Sequence, residues 1–316
     1  MKISLAPLQG YTDWVFRQAY QKYIGGIDEF YTPFLVLQNS GTLKTSHQRE
    51  AEPFVARSDK LIPQFLCGSI EELKFFENYL SGLGYQKMNW NLGCPYPMVT
   101  KRGKGCGLLP YPEKIREILQ EGYQAKLELS IKMRLGLNDE SEIFPVLEVL
   151  KDMPIDEIII HPRIGKQMYK GSTDWEVFGE ALQMCNKRIA FNGDINCVQD
   201  FEKLIQQFPQ LNHVMIGRGV LKDLFLPAKI KSLEIPLMEE QKLILKKFHD
   251  EIFSIYSSYL SGDAQVLQKM KPFWEYFSSH FESERKVFKS IKKSSGLKKY
   301  EDAVNNAFRE QLSVNS

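Results

Sequence analysis

The chain has 316 residues, 43% of them hydrophobic and 25% charged, with a formal net charge of +2. That balance is ordinary for a globular protein with room for one large domain and a smaller one. It excludes a disordered chain and a polyelectrolyte, so a nucleic-acid partner has to be read from a local patch. Five cysteines, Cys67, Cys94, Cys106, Cys185 and Cys197, lack CxxC spacing. They point to a reducing compartment, with no disulfide framework and no metal. The segment MKISLAPLQG lacks the apolar core of a leader, and no run of about 18 apolar residues suits a membrane span. A cytoplasmic protein without a membrane partner is expected.

In chain order, short apolar runs alternate with helix-length polar segments. The runs are ISLAPL (3–8), EFYTPFLV (29–36), LIPQFLC (61–67), KMNWNLG (87–93), ELSIKMRLG (128–136), EIIIHPR (157–163), RIAFNGDI (188–195) and HVMIGRG (213–219). Several are apolar throughout, as in strands buried on both faces of a parallel sheet. Amphipathic stretches at 69–84, 112–126, 142–153 and 198–209 separate some of them. This alternation predicts a (β/α)8 TIM barrel over residues 1–235. An open doubly wound sheet is the runner-up, but APLQGYTD stands where its GxGxxG would be needed. From Pro236 to Ser316 no strand pattern remains, which predicts a small C-terminal helical domain over 236–316. Its first helix is one long amphipathic segment, with breaks at SGD (261–263) and SSG (294–296).

In such a barrel the chemistry sits at the C-terminal ends of the strands. Polar residues gather there on nearly every run. Pro7, Leu8 and Gln9 follow the first, and Gln64 lies in the third. Asn91 and Cys94 end the fourth, Lys132 and Arg134 lie in the fifth, and His161 and Arg163 end the sixth. The seventh and eighth runs end in Asn192, Gly193 and Asp194, and in Gly217, Arg218 and Gly219. Glycine-rich corners after the last two strands suit a phosphate held by backbone N–H groups and an arginine. A lysine in an apolar strand needs an anion or neutralisation, so Lys132 points to a bound cofactor. Gln64 is either a satisfied core amide or a partner for a heteroaromatic ring. Cys94, in NWNLGCPYPMVTKRGKGCGLL (89–109), turns a corner between Gly93 and Pro95. Its thiol can donate a proton or attack, and spacing does not choose between them.

Basic residues cluster in two places. RKVFKSIKKSSGLKK (285–299) contains no acid, and helical spacing brings Arg285, Lys289, Lys292 and Lys293 near one face, with Lys286 beside them. Lys101, Arg102 and Lys104 form a second group near the active-site mouth. WEYF (274–277) offers aromatics for base stacking or for a core.

Together these residues resemble the tRNA-dihydrouridine synthases. APLQGYTDWVFRQAY (6–20), the cysteine loop, IKMRLG (131–136), HPRIGKQMYKGSTDW (161–175), FNGDI (191–195) and IGRG (216–219) match that family in order. The resemblance implies an FMN-bearing barrel that reduces the C5–C6 bond of selected uridines in tRNA, with NADPH or NADH as reductant. Hydride would pass from flavin N5 to C6, and Cys94 would protonate C5. Pro7, Leu8 and Gln9 would line the flavin, Gln64 and Lys132 would contact its ring, and His161 would lie nearby. Asn192, Gly193, Asp194, Gly217 and Arg218 would hold the phosphate. Asn91 would orient the base or flavin, and Arg163, Gln167 and Tyr169 would sit by the RNA entrance. The helical tail fits the family's RNA-binding domain, and a monomer is expected. Pro162, Cys106 and Tyr11 depart from the family pattern. A flavin barrel acting on a small molecule and a non-catalytic RNA-binding protein are the competing readings.

Overall fold

A computed structural model describes residues 1–52 and 59–313. Each apolar run carries a strand. In chain order these are β1 (Lys2–Leu5), β2 (Glu29–Tyr31), β3 (Leu35–Val36), β4 (Leu61–Ile62) and β5 (Gln64–Leu66). Then come β6 (Lys87–Leu92), β7 (Glu128–Gly136), β8 (Glu157–Ile164), β9 (Arg188–Asn192) and β10 (His213–Ile216). The pairings between these strands are parallel, in the order β3-β5-β6-β7-β8-β9-β10-β1-β2-β4.

Two of the runs split at a proline, which has no N–H to give the ladder. EFYTPFLV breaks around Pro33, and LIPQFLC breaks at Pro63. β2 then pairs with β4 and β3 with β5. One run supplies β2 and β3 and the other β4 and β5, so the β3-β5 pair at one end of the strand order and the β2-β4 pair at the other come from the same two runs of chain. The sheet therefore closes into a barrel. Ala6, Tyr31, Ile62, Ile159, Ala190 and Met215 pack together in a buried core cluster.

The strands begin on charge. Lys2, Glu29, Lys87, Glu157, Arg188 and His213 are each the first residue of their strand. Lys2 Nζ lies 2.7 Å from Glu29 and 3.7 Å from Glu157, and Lys87 Nζ lies 3.3 Å from Glu29. His213 joins Glu157 at 2.9 Å through Nδ1 and Ser4 at 2.6 Å through Nε2. Paired charge thus lines the N-terminal end of the barrel and leaves the opposite end for chemistry.

By packing, the chain parts into two units. The first is Met1–Pro7, Asp28–Asp194 and Leu204–Met215; the second is Leu8–Ile27, Ile195–Lys203 and Ile216–Ser316. The first unit carries α2 (Thr45–Ala51), α3 (Ile70–Gly82), α4 (Pro112–Gly122), α5 (Ile143–Lys151) and α6 (Trp175–Met184), while α1 (Trp14–Tyr23) belongs to the second. The helix α7 (Val198–Gln207) spans the change.

The second unit continues with α8 (Arg218–Lys222), α9 (Leu226–Ile230), α10 (Met238–Tyr259), α11 (Asp263–Phe277), α12 (Glu284–Lys293) and α13 (Leu297–Ala307). The expected breaks at 261–263 and 294–296 both fall between helices. Asp13 caps α1 and also accepts from Tyr256 at 2.7 Å and Lys269 at 3.2 Å. Tyr11 meets Phe273 and Tyr276 edge-on, and its hydroxyl donates to Glu275 at 3.1 Å. That packing accounts for the tyrosine at position 11. Trp274 and Phe277 are buried, so these aromatics of WEYF are core. No described helix is long and apolar enough to cross a membrane.

Burial works to raise the Glu157 carboxyl, but the bond and charge of His213, with Lys2 and Arg188, hold it below its usual range. A depressed carboxyl stabilises the fold above its unfolded pKa of about 4.3, and that stability is lost as pH falls through the lower folded value. Glu157→Gln is expected to cost about 1–3 kcal/mol at pH 7 and less in acid. Urea melts at pH 7 and pH 3.5 check this, and an equal loss at both would rule out the charge pairing.

Candidate active site

Three adjacent strands share one buried chain of amides. Ser130 Oγ on β7 accepts from Asn89 Nδ2 at 2.8 Å, and Asn89 Oδ1 accepts from Gln64 Nε2 at 2.7 Å. Gln64 Oε1 accepts from Asn91 Nδ2 at 2.6 Å. Asn91 Oδ1 then receives the backbone N–H groups of Gly93 and Cys94, both at 2.9 Å. Gln64 is fully buried, and the chain leaves one N–H and one lone pair of its amide for another partner. Both ends of the Asn91 amide serve the protein, so Asn91 positions Cys94.

The cysteine corner is packed as well as bonded. Cys94 is buried, and its carbonyl accepts from the N–H of Cys106 at 3.1 Å. Gly105 has φ +58°, and a Cβ there would lie 2.5 Å from the Cys94 carbonyl oxygen, so only glycine fits. Lys104, of the basic group, pairs with Glu72 and anchors the end of the loop, whereas Lys101 and Arg102 stay exposed. Burial pushes the Cys94 thiol up, opposed by a hydrogen bond at Tyr96 and by the charges of Arg134 and Lys132. The thiol is therefore protonated at neutral pH. Cys106 is fully buried, with its thiol pushed up to about 12, chiefly by burial. It is a packed residue, and both cysteines are free thiols.

Lys132 and Arg134 follow on β7. Burial and the charge of Arg134 bring the Lys132 ammonium down to about 7, while Cys94 acts to raise it. No carboxylate contributes to that balance. Arg134 is a residue of the site to which sequence reasoning gave no role. It is buried, and it donates to the Gly93 carbonyl at 3.1 Å and to the Ile164 carbonyl at 2.9 Å. Its guanidinium carbon lies 5.4 Å from the centre of the Tyr169 ring. It thus ties the cysteine corner to the loop after β8.

On β8, Pro162 stands where the register against β7 slips between Arg134 and Gly136. His161 and Arg163 flank it, both buried. Arg163 donates through Nη1 to His161 Nε2 at 3.1 Å and to Asp194 Oδ1 at 3.2 Å. Through Nη2 it reaches the Gly171 carbonyl at 2.6 Å and pairs with Asp194 Oδ2. Since a guanidinium only donates, His161 Nε2 accepts and its proton sits on Nδ1. Arg163 therefore positions His161 and the loop, while its buried Nε has no partner. Gln167 accepts from the Ile164 N–H at 2.8 Å and shapes the same loop, from which Tyr169 projects.

Asn192 donates to the Met215 carbonyl at 2.8 Å, and a Cβ on Gly193 would strike the Phe191 ring at 2.6 Å. In the second unit, Leu8 begins a tight turn in which its carbonyl accepts from Tyr11 and Thr12, and Gln9 is exposed. Gly217 precedes α8 and Arg218 opens it. Arg285, Lys286, Lys289, Lys292 and Lys293 are all exposed on α12, opposite the buried Val287 and Ile291, and Lys286 pairs with Glu310 at 2.8 Å. No cluster able to hold a metal occurs among the described residues.

The family model described as Dihydrouridine synthase (Dus) matches residues 4–314. A probable tRNA-dihydrouridine synthase of Helicobacter pylori is 27% identical, with 98% of this chain and 92% of the relative aligned. One from Staphylococcus epidermidis is 28% identical over 86% of this chain and 83% of its own length. The tRNA-dihydrouridine(16) synthase of Cupriavidus necator is 27% identical over 81% and 84%. Among solved structures, morphinone reductase aligns with a TM-score of 0.53 at 8% identity, covering 78% of this chain and 88% of its own. A 2-naphthoyl-CoA reductase complex gives 0.53 at 10% identity, covering 73% and 50%. These two likenesses concern the fold.

Arg134→Met removes both carbonyl bonds and a charge that lowers the Cys94 thiol. The pH midpoint of Cys94 alkylation, followed by mass spectrometry of the Cys94 peptide, is expected to rise, with about 1–3 kcal/mol of stability lost. An unmoved midpoint would separate Arg134 from the thiol.

Proposed function

This chain belongs to the dihydrouridine synthase family, and from that premise we propose that it reduces the C5–C6 double bond of selected uridines in tRNA, with bound FMN and NADPH or NADH as reductant. The observation that carries the mechanism is the buried free thiol of Cys94, on a corner whose backbone N–H groups Asn91 holds.

The donor set suits a flavin. Among the described residues Lys132 has no carboxylate partner, Arg163 Nε is an unpartnered buried donor, and Gln64 keeps one N–H and one lone pair. The bare backbone at Gly193 leaves no room for a side chain. Gln64 and Lys132 are assigned to the ring, with Pro7, Leu8 and Gln9 lining it and His161 nearby. Asn192, Gly193, Asp194, Gly217 and Arg218 keep the phosphate role that the resemblance implies for them. When bound, FMN supplies the hydride that reaches C6 of the uracil.

The remaining work is done by side chains. Cys94 Sγ gives its proton to C5, and burial keeps that proton in place until it is needed. As the thiol becomes a thiolate, Lys132 holds its own proton more tightly and Arg134 offsets the new charge. Residues 1–235 are assigned the redox chemistry and 236–316 the tRNA, in a cytoplasmic monomer. Arg285, Lys289, Lys292 and Lys293 bind phosphates, as do Lys101 and Arg102 by the cysteine loop.

Cys94→Ala is expected to form dihydrouridine at least ~100-fold more slowly, the usual range for a lost general acid. The assay uses tRNA from cells lacking dihydrouridine, with FMN and NADPH; a parental rate would remove Cys94 from the mechanism. Changing Arg285, Lys289, Lys292 and Lys293 to alanine together should weaken tRNA binding. It should also lower the slope of log K against log salt by about 0.9 for each phosphate no longer neutralised. An unchanged slope, measured by titration at several salt concentrations, would clear that face of RNA.

A further inference from the structure

Large apolar side chains are exposed at five described positions of the first unit, and apart from Met1 they stand on two loops. Tyr96 (47% exposed), Met98 (81%) and Tyr111 (61%) follow β6, and Tyr169 (44%) follows β8. An exposed apolar cluster is the informative exception on a soluble surface. These side chains are also rigidly displayed. Pro95 and Pro97 flank Tyr96, and Met98 sits on a single helical turn, Pro97–Thr100. That turn is closed by bonds from Val99 and Thr100 to the Tyr96 carbonyl, at 2.8 and 3.0 Å, and from Lys101 to Pro97 at 3.0 Å. Arg134 joins the corner before Tyr96 to the Tyr169 ring.

Charge indicates the partner. Lys101, Arg102, Lys166 and Lys170 are exposed on the same two loops. None of them has an acidic partner among the described residues. Residues 93–111 contain no acid, and the only one in 161–174 is Asp174, which caps α6. Aromatic and apolar side chains among unpaired cations suit an RNA strand, whose bases stack while its phosphates meet the cations.

Resting on the function proposed above, we propose that Tyr96 and Met98 form a wedge that enters the RNA stack where the target uridine leaves it. A base reaches an enzyme pocket only by extrusion, and unstacking it has a cost that an inserted apolar side chain offsets. The wedge begins two residues after Cys94, on the same fixed corner. Tyr96 stacks on the neighbouring base, Met98 fills the gap, and Lys101 and Arg102 hold the phosphates beside it.

The test uses flavin-loaded enzyme and tRNA isolated from cells lacking dihydrouridine. A Y96A/M98A variant is expected to lose at least tenfold in kcat, with Kd for the same tRNA changed less than threefold. M98L should recover most of the rate, because an apolar filler suffices. Flavin content and melting temperature matching the parent exclude misfolding, and M98E, with a charge in the gap, should be as slow as the double variant. A Y96A/M98A enzyme with the parental kcat overturns the wedge and leaves the family reading standing. So does a loss confined to a dimer seen by sedimentation with turnover intact, which would assign the patch to a second copy of the chain. A parent enzyme that forms no dihydrouridine overturns both readings.

Discussion

The carboxamide of Asn91 holds the corner on which Cys94 sits, and much of the site follows from that one constraint. Its oxygen takes two backbone N–H groups, and its nitrogen is committed to Gln64. Gln64 is fixed in turn by Asn89, and Asn89 by Ser130. Buried polar groups must be paired, and a break leaves the stranded partner unsatisfied at about 1–3 kcal/mol. The position of one sulfur is thereby coupled to β5, β6 and β7. A loop alone would not hold a small thiol within the narrow tolerance that the proposed proton transfer to carbon would need.

The two ends of the barrel handle charge in opposite ways. At the N-terminal end, Lys2, Lys87 and His213 each face a carboxylate. At the other end no carboxylate among the described residues offsets Lys132, and burial with the charge of Arg134 brings its ammonium down to about 7 against the opposing influence of Cys94. An uncompensated buried cation lowers stability unless a ligand supplies the missing negative charge. The lysines at one end are paired within the fold; at the other Arg163 is paired with Asp194, and Lys132 is the cation that the proposed cofactor would meet. The division agrees with the general placement of barrel active sites.

Much of this was legible in the sequence. Eight apolar runs marked the strands, because residues buried on both faces cannot alternate with polar ones. The prolines that split EFYTPFLV and LIPQFLC were visible too, although which half pairs with which neighbour depends on closure of the sheet. Cys94 and Lys132 stood out as chemistry in places where packing alone would not put them. Arg134 did not, since its two carbonyl partners lie 41 and 30 residues away in the chain. Arg163 is the converse case. The family resemblance implied a place by the RNA entrance, and the fold commits its guanidinium to Asp194, Gly171 and His161. Tyr11 became intelligible only through Phe273 and Tyr276, more than 250 positions later. Pattern reveals burial and periodicity, but the partner of a long side chain is a property of the closed structure.

The environment of Cys94 balances the two opposing demands that the proposed proton donation would make. Burial disfavours the thiolate and keeps the proton bound, yet an acid that could never release it would be inert. The hydrogen bond at Tyr96 pulls the other way, and so do the charges of Arg134 and Lys132, which both lie on β7. Lys132 adds a second adjustment, because its ammonium is itself near its titration point and a thiolate beside it favours the charged form. Proton loss at sulfur and proton retention at nitrogen therefore reinforce each other. The corner needs to be dry enough to hold a proton and cationic enough to release it. A cysteine on an exposed loop would lack the first property, and one buried among leucines would lack the second.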